Sequence, residues 1–206
     1  MTMDWVHWIL FAAVAICCMS FAYHFIRLVK LGKPRDLSAK SGNTGAAIVY
    51  SFTSAMSPAN KESAFLHLPT YAAGIVYHIA TFVSFAVFLL ILFSIEIHHT
   101  LLIVFVLTAF AGTVSGMAVL VKRMADKKLR KLSNPDDYIS NLLVTLFQLM
   151  TGLVLLFGSL HTTYVLIAAL LFLYMPVGKL KHIIYFFAAR YHLGFFYGWR
   201  NVWPPK

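Results

Sequence analysis

KESAFLHLPTYAAGIVYHIATFVSFAVFLLILFS, residues 61–94, is the stretch from which the fold can be read. About 20 consecutive apolar residues suffice to cross a bilayer as a helix, and this run is longer. Two imidazoles interrupt it, His67 and His78, eleven residues apart. At about 100° per residue that spacing returns to nearly the same helix face, about 16 Å along the axis. An ionisable side chain left unpaired in hydrocarbon costs about 2–3 kcal/mol or more, so each needs a reason to be there. Gly74 lies one turn before His78, where the absent side chain opens the backbone to a flat ligand.

The rest of the chain has the same character. It is 60% hydrophobic and 12% charged over 206 residues, with mean hydropathy +0.77, which excludes an ordinary soluble domain. Apolar stretches at residues 5–29, 68–94, 101–121, 138–157 and 162–178 predict an all-α integral membrane bundle of five helices, one domain over residues 1–206. The net charge of +10 is distributed by connection. Arg27, Lys30, Lys33, Arg35, Lys40 and Lys61 lie between the first and second stretches. Lys122, Arg123, Lys127, Lys128, Arg130 and Lys131 lie between the third and fourth, and Lys179, Lys181, Arg190, Arg200 and Lys206 follow the fifth. The alternate connections hold no Lys or Arg, only Asp4 and Glu96. The positive-inside rule then puts the amino terminus outside and the carboxyl terminus in the cytoplasm. Basic residues so placed follow membrane topology and speak against a nucleic-acid partner. The first stretch reads as an anchor and not a cleaved signal, because its positive charge follows the apolar run. Cys17 and Cys18 are adjacent and lack the spacing of an iron–sulfur site, so any such centre belongs to a partner.

The connection at residues 31–60 opens polar and then carries AAIVYSFTSAM, which predicts a short helix lying at the inner membrane surface. Ser57-Pro58 reads as the start signal of the second helix, with Pro69 loosening its ladder just after His67. Gly112 and Gly116 on the third stretch are spaced for close helix packing. Asn134-Pro135-Asp136-Asp137 reads as a helix start, and Asn141, Thr145, Gln148 and Gly152 form a polar stripe beyond it. The fifth helix runs from His161 through Pro176 and His182 toward an aromatic tail, with His192 at the surface. Trp5, His7 and Trp8 read as an outer interfacial belt and His24 as an interfacial residue.

Bis-histidine haem ligation needs two neutral imidazoles from facing helices. The second and fifth helices each offer one histidine toward either side of the membrane. His67 and His182 match in depth at the inner side, while His78 and His161 at the outer side are mismatched by about 12 Å on straight helices. The residues alone support haem iron held by these four histidines. They equally leave open a haem-free, histidine-containing transporter or scaffold.

LHLPTYAAGIVYHIATF, PVGKLKH, GKPRDLSAKSGN and SFTSAMSPANKES together resemble the gamma subunit of respiratory nitrate reductase. They resemble still more closely its relatives, the cytochrome b subunits of heterodisulfide-reductase-like and sulfite-reductase-associated membrane complexes. The resemblance is strongest over residues 32–81 and 176–191. It implies two b-type haems, with His67 and His182 on the inner iron and His78 on the outer one. The family's fourth ligand falls on Tyr164, one turn from His161. It further implies an electron-transfer subunit of an oxidoreductase in a prokaryotic inner membrane. Such a subunit exchanges electrons between menaquinone or ubiquinone and cytoplasmic iron–sulfur subunits. The quinone is expected near His78, Glu96, His98 and His99.

Overall fold

The computed structural model describes residues 4–60 and 65–205; residues 61–64, with Lys61 of the first basic connection, and Lys206 lie outside them. The long apolar stretches are helical, as lipid demands, because a helix satisfies its own backbone groups. Helices α1 (Trp5–Lys30), α3 (Leu68–Leu92), α4 (His99–Ala125) and α6 (Pro135–Leu156) are each long and apolar enough to cross a membrane. Helices α7 (His161–Tyr174) and α8 (His182–Trp199) supply a fifth candidate only when joined as one broken span. Two short helices, α2 (Thr44–Phe52) and α5 (Lys127–Leu132), lie in the connections. Among the described residues there is no strand, so the protein is all-helical with four to five candidate spans.

Three sequence expectations change. Ser57 and Pro58 open a 3-10 turn, Pro58–Asn60, and α3 begins at Leu68. Pro69 therefore stands in the first turn of α3, where a missing N–H leaves nothing unsatisfied, and it does not loosen a ladder. His67 lies in the turn before that helix, so the argument that it shares a helix face with His78 no longer holds. The fifth helix is also not continuous. It stops at Tyr174, the segment 175–178 around Pro176 is non-helical, and a 3-10 turn at Lys179–Lys181 precedes α8. At its other end α3 stops earlier than residue 94. Ser94 takes φ 53° and Ile95 N–H returns to the Leu90 carbonyl oxygen at 2.8 Å, a left-handed helix ending.

The chain divides into two compact units. The first comprises the residues up to Cys18 and Pro69–Leu180. Its helices approach through small residues: a Cβ on Gly112 would lie 2.2 Å from Ala80 Cβ and 2.7 Å from Gln148 Oε1. A Cβ on Gly116 would meet Thr145 Oγ1 at 2.3 Å and the Tyr77 ring at 2.5 Å. That closeness lets the polar stripe of α6 bond to α3. Gln148, wholly buried, donates through Nε2 to the Tyr77 carbonyl oxygen (2.9 Å) and to Thr81 Oγ1 (2.7 Å). The Tyr77 hydroxyl donates to the Asn141 carbonyl oxygen at 3.0 Å. Beyond this layer the rings of Phe85, Phe88, Phe147, Tyr164 and Phe172 pack together, Phe147 and Tyr164 nearly parallel with centroids 5.8 Å apart. Lipid gives apolar helices no hydrophobic reason to associate, so such close packing and interhelical bonds hold the unit together.

Asp137 closes the basic end of this unit. Asn134 and Asp137 form a reciprocal cap, each side chain accepting the other's backbone N–H at 3.0 Å. The same carboxylate takes Lys179 Nζ and lies 3.7 Å from Arg123 Nη1. Its neighbour Asp136 accepts the Tyr174 hydroxyl and the Ser140 hydroxyl. One helix start thus binds the end of α4 and the break after α7.

The second unit comprises Met19–Leu68 and the chain from Lys181 onward. Here α2, capped by Asn43, crosses α8 at glycines: Cβ atoms on Gly194 and Gly198 would lie 2.5 Å from Ile48 Cα and from Ala47 Cβ. The Ser51 hydroxyl donates to the Arg190 carbonyl oxygen (2.7 Å), and Arg200 pairs with Asp36 at 2.5 Å. The Ser38 backbone N–H, then the Ser38 hydroxyl and Arg200, hold the Asp36 carboxyl below its ordinary value.

Gly112→Leu should lower the thermal midpoint in detergent by the equivalent of about 1–3 kcal/mol. Gly74→Leu, whose Cβ meets nothing within 4 Å, should leave the midpoint in place. Equal effects at the two glycines would contradict the packing described. Asp137→Ala should cost about 1–3 kcal/mol through the lost cap and ion pairs, read by the same melt.

Candidate functional site

The expected histidines fall into three settings. His182 is the first residue of α8, directly after the turn that begins at Lys179, and it is exposed. His67, also exposed, precedes α3 and belongs to the same unit. Each is flanked by exposed apolar side chains, Phe65 and Leu66 beside His67, Ile183 and Phe187 in the first turns after His182. Lys179, three residues before His182 in sequence, is held by Asp137. In the same unit the Tyr185 hydroxyl and His24 Nδ1 are 3.0 Å apart, so α8 holds the end of α1 through a tyrosine–histidine bond.

His78 lies on an exposed face of α3. Its Nδ1 is 2.7 Å from the Gly74 carbonyl oxygen. A carbonyl only accepts, so Nδ1 carries the proton and Nε2 is left with its lone pair facing outward. That is the tautomer a metal-ligating imidazole adopts. The space beside Gly74 is open, as expected. The ring arrangement at His78 is set by its own helix and by the edge of Tyr77.

His161, the expected partner of His78, points to His7. Their Nε2 atoms are 3.4 Å apart and their ring centroids 5.5 Å. Both rings line a small cavity with Tyr164, the position where the resemblance places a ligand. Tyr164 is 1% exposed, and its hydroxyl interacts with Thr151, whose own hydroxyl donates to the Phe147 carbonyl oxygen at 2.7 Å. Glu96 and His99 are exposed, and His98 is the cap of α4, its Nδ1 accepting from Thr100 N–H at 3.4 Å. Among the described residues no group of three or more His, Cys, Asp or Glu side chains is arranged to hold a metal ion.

Sequence reasoning assigned His7 to the interfacial belt and so missed the His7–His161–Tyr164 cluster. A signal was available: His7, Leu10 and Cys17 recur at helical spacing, and all three are buried. A histidine in such a stripe faces inward. His67, His78 and His182 are thus exposed side chains, whereas His7 and His161 face each other. Compared with known proteins, the chain matches no family model, no curated protein and no solved structure.

Proposed function

We propose that this chain is a membrane b-type cytochrome subunit of a respiratory oxidoreductase. It would carry electrons between a menaquinone or ubiquinone pool and iron–sulfur subunits on the cytoplasmic side. The seat would be a prokaryotic inner membrane, as the family resemblance implies, and the distribution of Lys and Arg supports an amino terminus outside and a carboxyl terminus inside. The observation that carries the reading is the exposure of His67 and His182 within one compact unit of a chain otherwise built for lipid. The resemblance in sequence to the nitrate reductase gamma subunit and its relatives supports the same reading.

The residues fit a haem at this pair by the chemistry of their donors. The two imidazoles would hold the iron through nitrogen, and the exposed Phe65, Leu66, Ile183 and Phe187 would offer apolar surface to the macrocycle. When bound, haem iron supplies a one-electron carrier whose potential follows from its axial ligands and their surroundings. His67 and His182 bind and orient it. His78 is set in the ligand tautomer, and Gly74 leaves room beside it. A second haem there needs His161 to leave His7, so the account expects one firmly held haem per chain, at the His67–His182 pair.

A second reading, a haem-free transporter or scaffold, is favoured by one observation. The middle of the first unit is filled by packed aromatic rings and by the Gln148 network, with little internal space. A visible spectrum separates the two. Purified protein should show sharp reduced b-type bands with iron near one per chain. His67→Ala or His182→Ala should abolish them, and His161→Ala should leave them. A colourless pure protein overturns the cytochrome reading, and iron near two with loss on His161→Ala restores the outer haem.

A further inference from the structure

The connection between α4 and α6, residues 126–134, carries four cations, Lys127, Lys128, Arg130 and Lys131, against one carboxylate, Asp126. The fold commits that acid elsewhere. Asp126 caps α5, its Oδ1 accepting the backbone N–H groups of Lys128 (2.7 Å) and Leu129 (3.3 Å). Asp136 and Asp137, the next acids along the chain, are engaged by Tyr174, Ser140, Lys179 and Arg123. The four cationic side chains are exposed, and among the described residues none of their charged groups has an ion-pair or hydrogen-bond partner.

Their level is set by the spans on either side. Residues 99–121 of α4 hold no Lys, Arg, Asp or Glu, and Lys122 is the first charge. Five residues separate it from Lys127, at most about 7–8 Å at helical rise. The headgroup layer is about 5–8 Å deep on each side of the hydrocarbon. The far end of α5 is tied to α4 as well. Arg123 Nη1 donates to Ser133 Oγ at 2.9 Å, and that hydroxyl donates to the Leu129 carbonyl oxygen at 2.7 Å. Apolar side chains accompany the cations in sequence: Leu132 is 84% exposed and Met124 56%. Cations mixed with exposed apolar side chains suit the boundary between headgroups and acyl chains.

We propose that α5 binds the phosphate groups of anionic phospholipid in the leaflet at the end of the first unit where α4 stops. The ammonium and guanidinium groups of Lys127, Lys128, Arg130 and Lys131 meet the phosphate oxygens, while Leu132 and Met124 lie among the upper acyl carbons. A soluble acidic partner would find the same charges, but their depth, within one headgroup layer of the last apolar turn, favours lipid. The proposal does not depend on haem at His67 and His182.

The test is native mass spectrometry of the full chain, delipidated in detergent and titrated with phosphatidylglycerol or phosphatidylcholine of the same acyl chains. Each Lys or Arg near an anionic surface is worth about fivefold in affinity, so the wild type should prefer phosphatidylglycerol by about 10-fold or more. Replacing all four cations, Lys127→Gln, Lys128→Gln, Arg130→Gln and Lys131→Gln, should bring the two lipids to within about twofold, with the thermal midpoint unchanged. Lys127→Arg, Lys128→Arg and Lys131→Arg together should keep the preference. So should Lys33→Gln, Arg35→Gln and Lys40→Gln, which remove cations from the second unit. In the wild type, which needs no variant, the preference should shrink as salt rises. No preference in the wild type, a preference kept by the four-glutamine variant, or an equal loss in the second-unit variant would overturn the site. A wild type that is indifferent to lipid charge but binds polyglutamate would overturn it in favour of a soluble acidic partner.

Discussion

Asp137 is the constraint on which the basic end of the first unit depends. A carboxylate with a side chain only 6% exposed must be compensated, and here it caps its own helix while holding Lys179 and Arg123. The consequence is positional. Lys179 is fixed at the point where the chain leaves the broken fifth span, and His182 follows three residues later as the first residue of α8. Lys179 is therefore part of the scaffold of the first unit. The Asp136 contacts with Tyr174 and Ser140 reinforce the same junction.

Above that end the first unit obeys the economy of lipid. Gly112 and Gly116 bring backbones close, and Tyr77, Thr81, Thr145 and the Nε2 of Gln148 hydrogen-bond across the gap. The histidines follow the same logic of tautomer and partner. His78 spends Nδ1 on its own helix and keeps Nε2 outward, whereas His7 and His161 turn theirs toward each other. Three exposed imidazoles and one enclosed pair are thus chemically distinct populations. In the second unit, the glycine crossing of α2 and α8 and the Asp36–Arg200 pair shape the segment on which His182 stands.

Much of this was legible in the chain itself. Apolar length marked the spans, since nothing in a soluble fold requires runs like residues 68–94. Asn134-Pro135-Asp136-Asp137 declared a helix start, because capping chemistry is local and needs no tertiary context. The Gly112–Gly116 spacing foretold close packing. Other features were not local. Ser57-Pro58 has the form of a helix start, yet Pro69 competes for the same role and wins, which moves His67 off the helix. The break around Pro176 ends a helix that hydropathy alone carries onward. The His7–His161 contact joins residues 154 apart in sequence, and only the buried stripe of α1 hinted at it.

The central claim, that iron is clasped by the imidazoles of His67 and His182, is reached most directly by electron paramagnetic resonance of the oxidised protein. Two nitrogen axial ligands make ferric haem low-spin. The account predicts a low-spin ferric signal that becomes high-spin or vanishes when either histidine is replaced by alanine. A protein without a ferric haem signal, or one whose low-spin signal survives both replacements, would contradict it.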